Sequence, residues 1–349
     1  MAEQQGPAQA AGTAGASSPA VMFDVARRAG VSHMTVSRVI NEPWRVRPST
    51  RVRVQEAIDE LGYRPNTAAR SLITGRSQII GVVAVDLTLF GPASILHGIE
   101  EAARDEGFFV SIASVPRLAA DALRAAVQRL LNQAVDGVVM LAPFRAASQT
   151  LDAVVGPVPV VAVEGYDLDG PPKVAVDQRL GGRLAVEHLL SLGHRTVHHI
   201  SGPLDSTESE GRAEGWRSAL RAARRRVPAL AVGDWSARSG YESMQALLRR
   251  GAVTAVFAAN DHMALGALHA LDDAGLRVPV DVSVVGFDDV PECAHYLPPL
   301  TTVRQDFTGM GRQAVRLLAQ QIAGTPLDQR AVVLDPTLVV RSSTALAHP

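Results

Sequence analysis

The sequence predicts a small all-α helix-turn-helix head followed by two doubly wound α/β subdomains, and three observations predict it. Two short amphipathic segments joined by a glycine-containing turn lie within residues 22–40. After residue 78, short β-branched runs alternate with helical patterns, in one series up to residue 176 and a second beyond it. Charge divides along the same boundary. Residues 21–76 hold ten Arg against five acidic side chains, a balance of +5, while residues 77–349 carry −5 and Glu3 supplies the rest of the net −1. A length of 349 residues suits two or three units at ~150 residues each.

A chain that is 47% hydrophobic and 20% charged is neither disordered nor fibrous. No apolar run reaches the ~18 residues of a membrane span. Residues 1–20 are rich in Ala, Gly, Gln, Ser and Pro and contain no Lys or Arg. Without a charged n-region or Leu-rich core they do not read as a signal peptide, so a disordered tail and a cytoplasmic protein are expected. The lone Cys293 excludes an intrachain disulfide framework and a zinc ribbon, and reads as a small structural or surface thiol. A single Lys beside 33 Arg looks like a GC-rich codon bias. The Arg count itself therefore says little; its distribution says more.

In the head, Met22, Val25, Ala26 and Ala29 fall at helical spacing, and Gly30 follows where a helix end tolerates positive φ. Ser32 is a good N-cap for a second helix over 33–40. Helix, glycine turn and helix within twenty residues is helix-turn-helix spacing, although an ordinary αα-hairpin has it too. In a DNA-binding version the second helix enters the major groove, which singles out His33, Met34 and Arg38 to meet base edges. Arg38 can pair with guanine O6 and N7 at once. Ser32, Thr35, Ser37 and Asn41 suit phosphate oxygens, which set register. Pro48 opens a third helix to Leu61, with Val54, Ala57, Ile58 and Leu61 on one face and Gly62 closing it. Residues 66–74 suggest a nine-residue helix, too short to persist alone.

In the body, residues 79–85, 108–114, 137–141 and 160–163 read as buried strands, with helices over 92–106 and 119–133 between them. A strand at 174–176 follows, and beyond it the second series gives strands at 197–201, 255–258 and 283–287, with helices over 180–192, 209–223, 236–250 and 262–273. Repeated β-α-β units argue for parallel sheets covered on both faces. Ligands of such sheets sit beyond the carboxyl ends of the strands. Those positions are polar here: Asp86, Glu164, Asp177, Asn260-Asp261 and Asp288-Asp289, with Arg212 early in a helix and Trp235 after a short strand. Carboxylate, amide and guanidinium groups orient sugar hydroxyls, and an indole covers a ring's C–H face. The same residues could equally be helix N-caps or core packing.

Several ordered runs resemble the lac-repressor family (LacI/GalR-type regulators). Phe23-Asp24-Val25-Ala26-Arg27-Arg28-Ala29-Gly30-Val31-Ser32, Thr35-Val36-Ser37-Arg38-Val39-Ile40-Asn41 and Leu61-Gly62-Tyr63-Arg64-Pro65-Asn66 are similar to its DNA-binding head. Gly233-Asp234-Trp235-Ser236, Ala259-Asn260-Asp261, Gly286-Phe287-Asp288-Asp289 and the run from Pro298 to Phe307 are similar to its body. The resemblance covers residues 21–345. It implies a tail over 1–20, a DNA-binding domain over 21–65 and a hinge helix over 66–76. Residues 77–345 would form two periplasmic-binding-protein-like lobes, with the chain crossing near 176, 304 and 334.

By the same resemblance Asn66, Arg70 and Leu72 bind DNA from the hinge, with Leu72 wedged between base pairs in the minor groove. Glu164, Arg212, Asn260 and Asp288 would hold the hydroxyls of a sugar, and Leu89, Pro92, Ile95, Trp235 and Phe307 would wall the cleft. Departures from the family's namesake are Glu164 for a shorter Asp, Val176 for an aromatic, Glu208 for Ser and His262 for Gln. His33 and Met34 also differ, so another operator sequence is expected. A galactoside-like effector leads, ahead of another sugar or of a ligand that acts as co-repressor.

The partners implied are a pseudo-palindromic duplex operator, a carbohydrate and a second copy of the chain, with no membrane. No Leu heptad follows Arg341-Ser342-Ser343, so a dimer rather than a tetramer is expected. No G-x-G-x-x-G, Walker loop or G-x-S-x-G calls for a cofactor. His194, His198 and His199 match no strong metal pattern, and alternation along a strand points the last two to opposite faces. Asp288-Asp289 with Glu164 could suggest a glycosidase pair, but adjacent Asp residues rarely aim at one bond. A non-enzymatic, ligand-responsive repressor of carbohydrate genes is the function expected.

Overall fold

The computed structural model describes residues 20–64, 75–115, 120–141, 156–164 and 170–347. They fall into two compact units that divide after Gly75.

The first unit is a three-helix head. Helix α1 (Met22–Ala29) is capped by Asp24, whose carboxylate accepts from the Val21 amide at 3.0 Å, and it ends at Gly30 with φ of 63°. The Ser32 hydroxyl accepts from the Thr35 amide and starts α2 (His33–Asn41). Pro48 begins α3 (Pro48–Leu61), and Gly62 ends it in the left-handed conformation. The buried stripes of the three helices meet in a core of Val25, Ala26, Ala29, Val36, Val39, Val54, Ala57 and Tyr63. Residues 65–74, including Asn66, Arg70 and Leu72 of the expected hinge helix, lie outside the described residues.

The second unit holds two parallel sheets, which bears out the doubly wound reading. The first has strands β1 (Ile79–Val85), β2 (Phe109–Val115), β3 (Gly137–Leu141), β4 (Val160–Val163), β5 (Lys173–Val176) and β11 (Ala331–Leu334), in the order β11-β5-β4-β3-β1-β2. Helices α4 (Phe90–Asp105), α5 (Ala120–Asn132) and α10 (Phe307–Ile322) cover it. The second sheet contains β6 (His198–Ser201), β7 (Ala231–Val232), β8 (Ala255–Ala258) and β9 (Ser283–Val285), in the order β7-β6-β8-β9. It carries α6 (Gln178–Ser191), α7 (Thr207–Ala222), α8 (Ala237–Arg250) and α9 (Asp261–Asp273). Strands β10 (Thr302–Arg304) and β12 (Thr337–Val339) pair antiparallel beside it.

The chain thus passes between lobes at 176–178, 304–307 and 334–337. No element after residue 287 is read from the sequence, yet α10 returns there to the first lobe and buries Met310, Ala314, Val315, Leu317 and Leu318 in its core. Helices α6 and α7 approach closely because Gly182 faces the Arg212 backbone and Gly215 faces that of Arg179. A Cβ at either glycine would collide with backbone, so this pair fixes the depth of Arg212. Cys293 is fully buried.

Candidate functional site

In the second unit the carboxyl ends of both sheets open on one cleft of about 750 Å³, lined from β1 by Asp86 and from α4 by Leu89, Phe90 and Pro92. Arg212, Trp235, Asn260, His262, Asp288 and Phe307 line it from other segments. Eight described non-glycine residues have positive φ, and five of them lie within four residues after a strand, at this cleft or directly beside it: Asp86, Glu164, Trp235, Asp288 and Asp289. Left-handed backbone at such residues costs ~1–3 kcal/mol each and gathers at ligand sites.

Arg212, 4% exposed, is the centre of the cleft floor. Its Nε donates to Gln178 Oε1 at 2.8 Å, and its Nη1 donates to the Ala259 carbonyl at 2.5 Å and lies 3.5 Å from Asp288 Oδ1. Its guanidinium stacks over the Phe287 ring at 3.9 Å and stands 5.4 Å from the Trp235 ring centre. Gln178 Nε2 donates to Gln305 Oε1 at 2.8 Å, and Gln305 Nε2 donates to Asp288 Oδ1 at 2.8 Å. These four side chains close a ring of polar contacts. Two of its members, Gln178 and Gln305, sit at the lobe crossovers. Sequence reasoning missed both, since a buried amide belongs to no motif.

Glu164 and Val176 do not line the main cleft. They line an adjoining cavity of about 290 Å³ with Gln178 and Glu208, and Glu208 faces both spaces. Burial raises the Glu164 carboxyl to about 8, with Glu208 adding to the rise and Arg212 opposing it. Burial likewise raises Glu208 to about 7 against the pull of Arg212. Asp288 also rises through burial, moderated by Arg212, Gln305 and His262. One guanidinium therefore serves three carboxyls, and near neutral pH the site holds proton donors as well as acceptors.

Other expected residues have structural duties. Asn260 caps α9 through the Met263 amide at 2.8 Å and donates to the Trp235 carbonyl at 3.0 Å, which holds the indole in place. Ile95 is 3% exposed and packs in the first lobe's core, one layer behind the cleft wall. Asp177 caps α6. Asp261 is buried, bound by Thr302 Oγ1 and the Val290 amide. Asp289 turns from its neighbour Asp288 to bond Arg304 and Arg341, each at 2.6 Å. The two adjacent carboxylates thus do not share a site. His199 is buried against Phe257 with centroids 4.5 Å apart, whereas His198 is partly exposed. Among the described residues no group of three or more His, Cys, Asp or Glu could hold a metal ion. No described helix is long and apolar enough to cross a membrane.

In the head, α2 exposes His33, Met34 and Arg38. Ser32 and Thr35 bond each other at 2.9 Å, and Asn41 reaches back to the Ser37 carbonyl at 3.0 Å. Arg28 pairs with Glu60 and Arg45 with Glu42, whereas Arg38 has no acidic partner among the described residues. Trp44, 74% exposed in the turn after α2, went unnoticed in the sequence, where only its Pro and Arg neighbours mark it.

Comparison with known proteins places two family profiles on the chain. The profile of bacterial regulatory proteins of the lacI family matches residues 21–66, and that of a periplasmic binding protein-like domain matches residues 186–344. The chain is 38% identical to the lactose operon repressor of Escherichia coli (strain K12) over 331 residues, covering 94% of this chain and 91% of that one. It is similar to the crystal structure of the lac repressor dimer bound to operator and the anti-inducer ONPF. That likeness has a TM-score of 0.88 at 37% identity, over 94% of this chain and 100% of that one. It is also similar to the transcriptional regulator CelR–cellobiose complex, with a TM-score of 0.71 at 37% identity, over 93% of this chain and 99% of that one.

Proposed function

The chain belongs to the lacI family of bacterial regulatory proteins, and from that premise we propose that it represses carbohydrate-utilisation genes and leaves its operator when a small sugar enters the cleft. It is a sequence-specific DNA-binding regulator that works as a homodimer. In this reading residues 21–65 read DNA, 66–76 form a hinge helix, and 77–345 bind effector and dimerise. Residues 1–20 form a tail. His33, Met34 and Arg38 meet base edges, and Ser32, Thr35, Ser37 and Asn41 meet phosphates. Asn66, Arg70 and Leu72 engage the minor groove. The observation that carries the proposal is the joining, on one chain, of an exposed recognition-type helix with a cleft lined by Arg212, Asn260 and Asp288.

The effector is a galactoside-like sugar whose hydroxyls meet Arg212, Asn260 and Asp288, with Leu89, Pro92, Trp235 and Phe307 along its apolar face and Glu164 behind. Glu208 on the floor and Val176 behind it favour a second reading, a non-galactoside sugar that reaches the adjoining cavity. The carboxyls bind and do not catalyse, and the protein works in the cytoplasm on the nucleoid. DNA and effector bias one two-state arrangement, so sugar weakens operator binding as much as operator weakens sugar binding.

Fluorescence anisotropy of the DNA upstream of the gene, titrated with protein and then with a panel of galactosides and other sugars, tests this. Release by a galactoside supports the leading reading, and release only by another sugar supports the second. Tight binding that no sugar alters would sink the effector assignment.

A further inference from the structure

At the amino-terminal edge of the second sheet the chain makes turns before β6, β7 and β8. These strands are neighbours in the order β7-β6-β8, so the three turns lie side by side, at the end opposite the cleft. These turns and the end of α8, which leads into the third, gather Arg195, Arg224, Arg225, Arg226, Arg249 and Arg250, all exposed. Thr196 Oγ1 donates to the Arg226 carbonyl at 2.7 Å, which ties the first turn to the second. His198, at the base of β6, is pushed below its ordinary pKa by burial and then by Arg226 and Arg250, which places both guanidinium groups near it. Its buried Nδ1 has no hydrogen-bond partner among the described residues.

No Asp or Glu occurs in residues 192–200, 215–230 or 245–255. None of the six arginines joins an ion pair among the described residues, whereas Arg179, Arg183, Arg238 and Arg277 of the same lobe all do. A codon bias explains why the cations are Arg. It does not explain why acids are missing from three separate stretches that folding brings together. Like charges gathered without counter-charges repel one another, so the arrangement has an electrostatic cost in the free protein.

A protein-binding interface has an apolar, often aromatic centre from which charge is depleted. No large exposed hydrophobic residue lies in these three turns. Guanidinium groups without an apolar centre match a phosphate backbone, which they contact without reading sequence. We propose that this edge is a second DNA surface, which holds a duplex segment by its phosphates independently of the head.

The full-length protein is first saturated with unlabelled upstream operator and then titrated into a fluorescein-labelled duplex of unrelated sequence. The saturated complex takes up the second duplex, with log K falling as log salt rises. The triple variant Arg224→Asn, Arg225→Ser, Arg226→Ser lowers that slope by about 3 and weakens second-duplex binding about tenfold or more at low salt. Its operator affinity stays unchanged. Asn is used at 224 because φ there is 54°. No uptake of a second duplex, or a slope that the triple variant leaves unaltered, overturns the proposal. So does capture of polyglutamate that duplex cannot displace, which would mark the edge as a site for an acidic protein. Failure to saturate with operator would instead strike the regulator reading. In that event, ultracentrifugation of parent and variant with the unrelated duplex still decides: equal duplexes per dimer overturn the proposal, and fewer on the variant sustain it.

Discussion

Arg212 and Gln178 share a 2.8 Å hydrogen bond that joins the floor of the cleft to the first lobe crossover. Gln178 continues that link to Gln305 at the second crossover, 127 residues further along the chain. A ligand that draws the Arg212 guanidinium toward itself must therefore strain or break a contact at the joint between lobes. That is a physical route by which occupancy can bias lobe arrangement.

Gln178→Met keeps the side-chain volume and removes both ends of this link. Sugar should still bind, but its power to release operator should fall several-fold or more. Titrating sugar into the preformed operator complex and measuring residual anisotropy checks this; full release by the variant would remove Gln178 from the coupling.

Arg212→Ala should abolish the sugar response, because the cleft loses the only guanidinium among its described lining residues. It should also destabilise the body by about 3–5 kcal/mol, since it leaves Asp288 buried beside Glu208 without a counter-charge. Urea unfolding together with calorimetric sugar titration separates these two effects.

Stability should fall as pH rises from about 6.5 to about 8, above the range in which the unfolded chain protonates His188, His194, His198 and His199, whose values burial lowers in the folded protein. Glu164 and Glu208 are raised in the folded protein from 4.5 to about 8 and about 7 by burial, so the folded state holds protons that the unfolded chain has released. Their contribution is complete below the unfolded value and lost as pH passes through the folded values. Glu164→Gln should flatten this dependence, as read from urea midpoints at the two ends of the range.

Gly202 lies directly beneath the Trp235 indole, where a Cβ would strike the ring. Gly202→Ala should displace the indole, weaken sugar binding about tenfold, the effect of roughly 1.4 kcal/mol, and shift tryptophan emission. Unchanged affinity would mean that Trp235 does not cover the ligand.

Arg38→Ala should cost about 1–3 kcal/mol in operator binding and much less on unrelated DNA. Equal losses on both would assign Arg38 to phosphate contact instead of base reading.

Much of the fold was legible because its punctuation is local. Pro48 and Gly62 bracket α3, and the unbroken apolar run Ile79–Val85 marks a strand buried on both faces. The cleft was legible as polar residues after strands, where neighbouring residues in general are apolar. The region beyond Phe287 was not, because its strands have three or four residues and the first two turns of α10 contain Gly309 and Gly311, poor helix formers, one facing the Asp306 cap and the other the backbone of α4. The Gln178–Gln305 link and the arginine edge were hidden for another reason. Each is made by residues far apart in sequence, and only strand order brings them together.

The small core of the head has a thermal consequence. Residues 20–64 are held by eight buried side chains, seven of them Val or Ala, with no disulfide, whereas the body closes four larger clusters. A domain of this size buries a small share of its surface and is marginal alone. On warming, the head should melt before the body and operator should hold it folded, since a ligand that binds only the native state raises its melting point. Gene repression by such a chain would then fade with heat even when no sugar is present.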